Sequence, residues 1–194
     1  MIKNLIFIFV TLFFTACSVK FDMPFSKEPN SELKKEITKV LYLMKKDDLE
    51  SLNSNYINKD FGFYEFRLDR EFNLITEHKF ILEEVDKFIE IFEISSKPVE
   101  FDCSFDLDTG YGWKEDGVFV IKNRVNYFDN YKFKDEKEKK FINNILKNGY
   151  EVITLSQMIF YMSRFEGKYY IVLIDNVKTD CRKKFEIESK KQGS

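Results

Sequence analysis

Apolar residues recur between positions 31 and 46 at Leu33, Ile37, Val40, Leu41 and Met44, a spacing that gathers all five on one side of an α-helix. The DDLESL that follows sets Asp47 three residues before Glu50, a capping pair that predicts a second, short helix. From Ile57 to Phe72 the chain is rich in aromatics and broken by Gly62, so a loop leading into an extended segment is predicted there. Helical spacing returns at Ile81, Leu82, Val85, Phe88, Ile89 and Phe92, which predicts a longer helix capped by Thr76 and ended before Ser95, Ser96 and Pro98.

The period then falls to two. VEFDCSF sends Val99, Phe101, Cys103 and Phe105 to one face of a strand and Glu100, Asp102 and Ser104 to the other, with Cys103 pointing inward. Val118 to Val125 predicts a second strand, with the Gly- and Asp-rich DLDTGYGWKEDG as a long hairpin loop between the two. Asp135 and Glu138 open a helix through Phe141, Ile142, Ile145 and Leu146 that stops at Gly149. Val152 to Phe165 and Tyr169 to Val177 predict a terminal hairpin turning at Glu166-Gly167-Lys168. The class is therefore α+β, an antiparallel sheet covered on one face by helices. In order of elements this loosely resembles NTF2-like and cystatin-like folds, an analogy that carries no function.

Charge narrows the partners. The 194 residues hold 31 basic and 33 acidic side chains, and the only sizeable charge run, KDEKEKK at 134–140, mixes signs as the solvated face of its helix would. Such a balance offers no electrostatic footprint for nucleic acid. The 22 phenylalanines accompany abundant Lys, Asn and Ile, and read as compositional bias rather than as an aromatic binding surface.

The opening MIKNLIFIFVTLFFTACSVK has a basic Lys3, an apolar run from Leu5 to Phe14 and the small pair Thr15-Ala16, the order of an export signal. The run meets polar chain at Ser18 and Lys20, short of the roughly 20 apolar residues a membrane span needs. Thr15, Ala16 and Cys17 resemble the lipobox of bacterial lipoproteins, with Phe14 where that pattern usually has an aliphatic residue. The resemblance implies cleavage before Cys17, a diacylglycerol on its thiol and a further acyl chain, such as palmitate, on the new amino terminus. Three parts follow: a signal peptide at 1–16, a lipidated tether at 17–30 containing Pro24 and Pro29, and one domain at 31–194. The bilayer would be the first partner, and the location an extracytoplasmic membrane face of a bacterium.

Lipidation of Cys17 leaves Cys103 and Cys181 in an oxidising compartment, where they are expected to form a disulfide, the alternative being two buried thiols. Closing so long a loop stabilises a fold by roughly 4 kcal/mol in the chain-entropy model.

Candidate chemistry is sparse. The single histidine, His78, falls where a half-buried structural side chain of the predicted helix would lie, and no second histidine completes a zinc site. A calcium loop starting at Asp106 would need Gly and Glu where Tyr111 and Gly117 stand, so no metal is expected. Glu83 and Glu84, as helix neighbours, would point about 100° apart and not converge on a substrate. Tyr111 and Trp113, set among glycines, are candidate aromatic anchors for recognition. No cofactor motif is present. The pattern favours a non-enzymatic envelope binding module, for a protein or polymer, with a membrane-anchored immunity protein in the same class. An envelope hydrolase using carboxylates is the alternative.

Overall fold

The computed structural model describes residues 28–87, 90, 93–106, 110–154 and 158–182. Its first helix, α1 (Ser31–Lys45), buries the predicted stripe of Leu33, Ile37, Val40, Leu41 and Met44. Asn30 caps it, its side chain accepting from the Leu33 N–H at 2.8 Å. The short helix α2 (Leu49–Tyr56) starts one residue later than Asp47 predicts. Asp48 is the cap, accepting from the Ser51 N–H, while Asp47 turns the chain with φ 57°.

Strand β1 (Phe63–Leu68) then pairs antiparallel with β2 (Leu74–Lys79) over six residues, from Phe63 opposite Lys79 to Leu68 opposite Leu74. This overturns the helix predicted from Thr76. The turn between the strands is held by Asp69, whose Oδ1 accepts from the N–H groups of Glu71 and Asn73. Once β1 claims residues 74–79, the Asn53 amide binds both backbone groups of Leu82, at 2.7 Å and 2.9 Å, in place of helical partners. Residues 82–87 have no regular structure; Phe88, Ile89 and Phe92 of the predicted stripe lie outside the described residues.

Two-residue β3 (Ile94–Ser95) runs parallel to β6 (Val118–Lys122). Between them β4 (Phe101–Asp106) and β5 (Gly110–Trp113) form a separate two-stranded sheet, so part of the predicted loop is itself strand. Strand β6 stops short of Val125 because Asn123 turns the chain, its Oδ1 accepting from the Val125 N–H. Helix α3 (Glu136–Asn148) has the predicted cap, Asp135 accepting from the Glu138 N–H at 2.8 Å, and ends at Gly149.

The predicted strand 152–165 divides into β7 (Tyr150–Ile153) and β8 (Ile159–Phe165). β8 returns as β9 (Lys168–Asp175) through Glu166 and Gly167, both with positive φ, as a tight hairpin turn requires. The main sheet has seven strands in the order β2-β1-β9-β8-β7-β6-β3 and does not close into a barrel. It is mostly antiparallel, with β1–β9 and β3–β6 parallel.

Alternation along these strands separates two cores. Phe63, Val118, Val120, Val152, Phe160 and Ile174 meet α1 and α2 on one face. Tyr64, Phe66, Phe119, Ile153, Ile159 and Tyr161 meet α3 and Phe128 on the other, so the predicted cover of helices extends to both faces. Opposite Tyr161 and Met162, β9 presents Leu173 and Ile171 and bulges at Val172, which lets Val172 and Leu173 both join the second core.

Candidate functional site

Cys103 and Cys181 are joined by a disulfide, with Cα atoms 5.4 Å apart and 78 positions between them in sequence. The pairing is the one expected from the sequence, and it ties β4 to the chain just after β9. Cys181 is buried and Cys103 half-buried. Cys17, with the proposed signal and the tether as far as residue 27, lies outside the described residues. Among the described residues no helix is long and apolar enough to cross a membrane.

His78 sits on β2, opposite Tyr64, rather than on a helix. Its ring stacks on Tyr64 at 4.5 Å and its Nε2–H donates to the Phe61 carbonyl at 2.7 Å. Nδ1 is 3.8 Å from Glu138 Oε1. Glu138, at the third position of α3, is only 6 % exposed and accepts from the hydroxyls of Tyr64 and Tyr131 at 2.8 and 3.0 Å and from the Lys134 N–H. Burial pushes its carboxyl up, but the Lys134 N–H and the two hydroxyls outweigh that and hold it below the usual glutamate range. Burial and the Glu138 carboxylate together drive the Tyr64 hydroxyl far above its ordinary value, so it stays a donor. Both Glu138 oxygens are engaged, so the Glu138 in KDEKEKK is no solvated residue, while His78, expected to be half-buried, is exposed at the edge of the cluster.

A second acid cluster ends β9. Asp175, with no exposed surface, accepts from Tyr127 and Tyr161 through Oδ2 at 2.8 and 3.2 Å. Its Oδ1 accepts from the N–H groups of Val177 and Lys178 at 2.8 and 3.1 Å. Beside it, buried Glu151 pairs with the Lys178 ammonium. Burial raises the Glu151 carboxyl, the Lys178 charge opposes that rise, and Asp175 reinforces it. Sequence reasoning missed both clusters. Their one local signal is an acid in register with an apolar stripe: Glu138 precedes Phe141 and Ile142 by three and four residues.

The remaining candidates are dispersed. Trp113 is half-buried on β5, its ring meeting Phe101 edge-on at 4.9 Å; the Tyr111 side chain lies outside those described. Among the described residues no three His, Cys, Asp or Glu side chains converge as a metal would require. Glu83 and Glu84 are exposed on the rim of a cavity of about 300 Å³ floored by Phe63, Met158 and Ile174. In that cavity Glu65 is tied to Lys79 at 2.5 Å and to Asn176 at 2.8 Å. A larger, shallower groove of about 680 Å³ runs beside α1 and α2, lined by Tyr42, Leu43, Tyr56 and Lys168 among others.

No family model, no curated protein and no solved structure matches this chain.

Proposed function

We propose that the chain is a bacterial envelope lipoprotein, held to a membrane by acylated Cys17 and presenting its α+β domain as a non-enzymatic binding module for an envelope protein or polymer. The observation that supports it best is the use of the cysteines. Cys103 and Cys181 are joined to each other, which suits an exported chain, and this leaves Cys17 as the one thiol available for lipid. Two or three acyl chains hold a protein firmly where one would not, each buried methylene contributing about 0.8 kcal/mol.

The carboxylate hydrolase is favoured by one observation, the cavity bordered by Glu65, Glu83, Glu84 and Asp86. Against it, Glu65 is spent on Lys79 and Asn176, and the two most buried acid clusters have their oxygens filled by tyrosines, backbone N–H groups and Lys178. A module of this kind needs a surface, not a poised acid–base pair. Replacing Cys17 by Ser in the native cell is the test: the domain should leave the membrane fraction. A variant that stays wholly with the membrane would defeat the lipoprotein reading.

A further inference from the structure

The outer face of α1 carries a pattern that the fold itself does not use. At 100° per residue, Lys35, Lys39, Tyr42 and Lys46 fall within an arc of about 60°, diametrically opposite the buried stripe of Leu33, Ile37, Val40 and Met44. All four are exposed, Tyr42 by 49 %, and the Lys46 ammonium lies 4.4 Å over the Tyr42 ring. The acids of α1 stand to one side and are engaged: Glu32 with Arg164 at 3.3 Å, and Glu36 with Lys39 and the Tyr56 hydroxyl. Neither Lys35 nor Lys46 has a carboxylate within ion-pair distance among the described residues. Of the acids that follow, Asp47 pairs with Lys87 and Asp48 caps α2, while Glu50 is exposed.

We propose that this stripe docks on an anionic phospholipid surface, so that the anchored domain lies with α1 against the leaflet that holds its lipid. The inference rests on Cys17 being the anchor. Three arguments select a bilayer as the occupant. The first is chain length: Asn30, the cap of α1, follows Cys17 by 13 residues, a length of chain that reaches at most about 45 Å. Because α1 is 15 residues long, about 22 Å, its whole length stays within reach of the surface to which the tether is fixed.

The second is charge. Loss of Lys3 with the signal would take the formal charge from -2 to -3, so an anionic leaflet repels the domain as a whole and favours approach by a locally basic face. The third is side-chain chemistry. Lysine stems and a tyrosine ring suit the headgroup layer, where the ammonium and hydroxyl stay wet while the carbon skeletons pack on lipid. The groove beside Tyr42 and Leu43, with Lys168 also lining it, extends the same mixed surface. Docking of this kind would add an electrostatic contact to the covalent anchor and fix which face of the domain is turned to the envelope space: the opposite side of the sheet, covered by α3.

The test uses the full lipidated chain on vesicles of phosphatidylcholine alone and on vesicles with about 30 % phosphatidylglycerol, with lysines acetylated in place and read by mass spectrometry. Labelling of Lys35, Lys39 and Lys46 should fall about threefold or more on the anionic vesicles and recover in high salt, whereas Lys147 in the last turn of α3 should not change. In a Lys35→Gln, Lys46→Gln variant, Lys39 should lose that protection. Chain that floats with both kinds of vesicle but labels equally on each overturns the docking and leaves the anchor standing. So does protection that is the same on neutral vesicles. Failure to float with either kind overturns the anchor, and the docking with it.

Discussion

The two faces of the main sheet are built from different chemistry. Against α1 and α2 the core is largely aliphatic, with Leu33, Ile37, Val40, Leu41 and Met44 packed on Val118, Val120, Val152 and Ile171. Against α3 it is aromatic and contains acids: Tyr64, Phe66, Phe119, Phe128, Phe141 and Tyr161 surround Glu138, Asp175 and Glu151. The first face depends on apolar burial, which is non-directional and tolerates small changes of volume. The second depends on tyrosine hydroxyls that reach particular carboxylate oxygens. A buried acid with a full set of donors is stable, but the same site missing the acid leaves several donors stranded in a dry core.

Removal of Asp175 should break this comparison open most widely. Asp175→Ala strands the hydroxyls of Tyr127 and Tyr161 and two backbone N–H groups at once, an expected loss of about 3–5 kcal/mol in urea unfolding. On the aliphatic face, Ile37→Val should cost only about 0.5–1.5 kcal/mol. Equal losses would mean that the faces are not energetically distinct. The disulfide belongs to neither core. Cys103→Ser and Cys181→Ser should each cost about 2–5 kcal/mol, and the double variant little more than either single one, since both remove the same bond.

A smaller effect sharpens the comparison by pH. The folded protein holds Glu138 below the ordinary glutamate value, so its contribution to stability is complete above that value and is lost as pH falls through the lowered one. Glu138→Gln, expected to cost about 1–3 kcal/mol near neutrality, should therefore converge on the parent in acid. Glu151 works with the opposite sign. Its raised carboxyl favours the fold most when protonated, and that contribution declines as pH climbs from the ordinary glutamate value through the raised one. Urea midpoints measured from acid to neutral pH should show Glu151→Gln with a flatter decline than the parent in that window. Parallel curves for parent and both variants would remove the acids from the account of the second face.

The same contrast governs how far the sequence could be read. Helix α1, helix α3 and the β8–β9 hairpin are legible because their apolar period and their burial coincide, and because Asp135 and Gly167 mark an entry and a turn by local chemistry. Residues 76–92 mislead because their helical spacing competes with a long-range partner. β1 takes Leu74–Lys79 into the sheet, and an amide from α2 then holds Leu82, neither of which local periodicity can register. The strand predicted across 152–165 fails in a similar way, since the connection between β7 and β8, Thr154-Leu155-Ser156-Gln157-Met158, holds no glycine or proline to mark a break.

The candidate site was legible only where a residue type has one main use. Three cysteines and an export pattern suffice to predict which two pair, and the Cα separation of Cys103 and Cys181 bears out the strand placement that this implies. Glu138 and Asp175 were hidden because their meaning comes from Tyr64, 74 positions from Glu138, and from Tyr127, 48 positions from Asp175. Read alone, Glu138 belongs to a run of charges. Glu151 gives still less away, its Lys178 partner being supplied only when β7 and the end of β9 are set on either side of β8 in the sheet.

The central proposal is a division of labour among the cysteines: Cys17 would carry lipid, while Cys103 and Cys181 close the domain. Mass spectrometry of the mature protein, purified in detergent and digested without reductant, tests it most directly. The account predicts an amino-terminal peptide that begins at Cys17 and bears acyl chains, together with a linked pair of peptides containing Cys103 and Cys181. An unmodified amino terminus at any other residue, or Cys17 found in a disulfide, would contradict it.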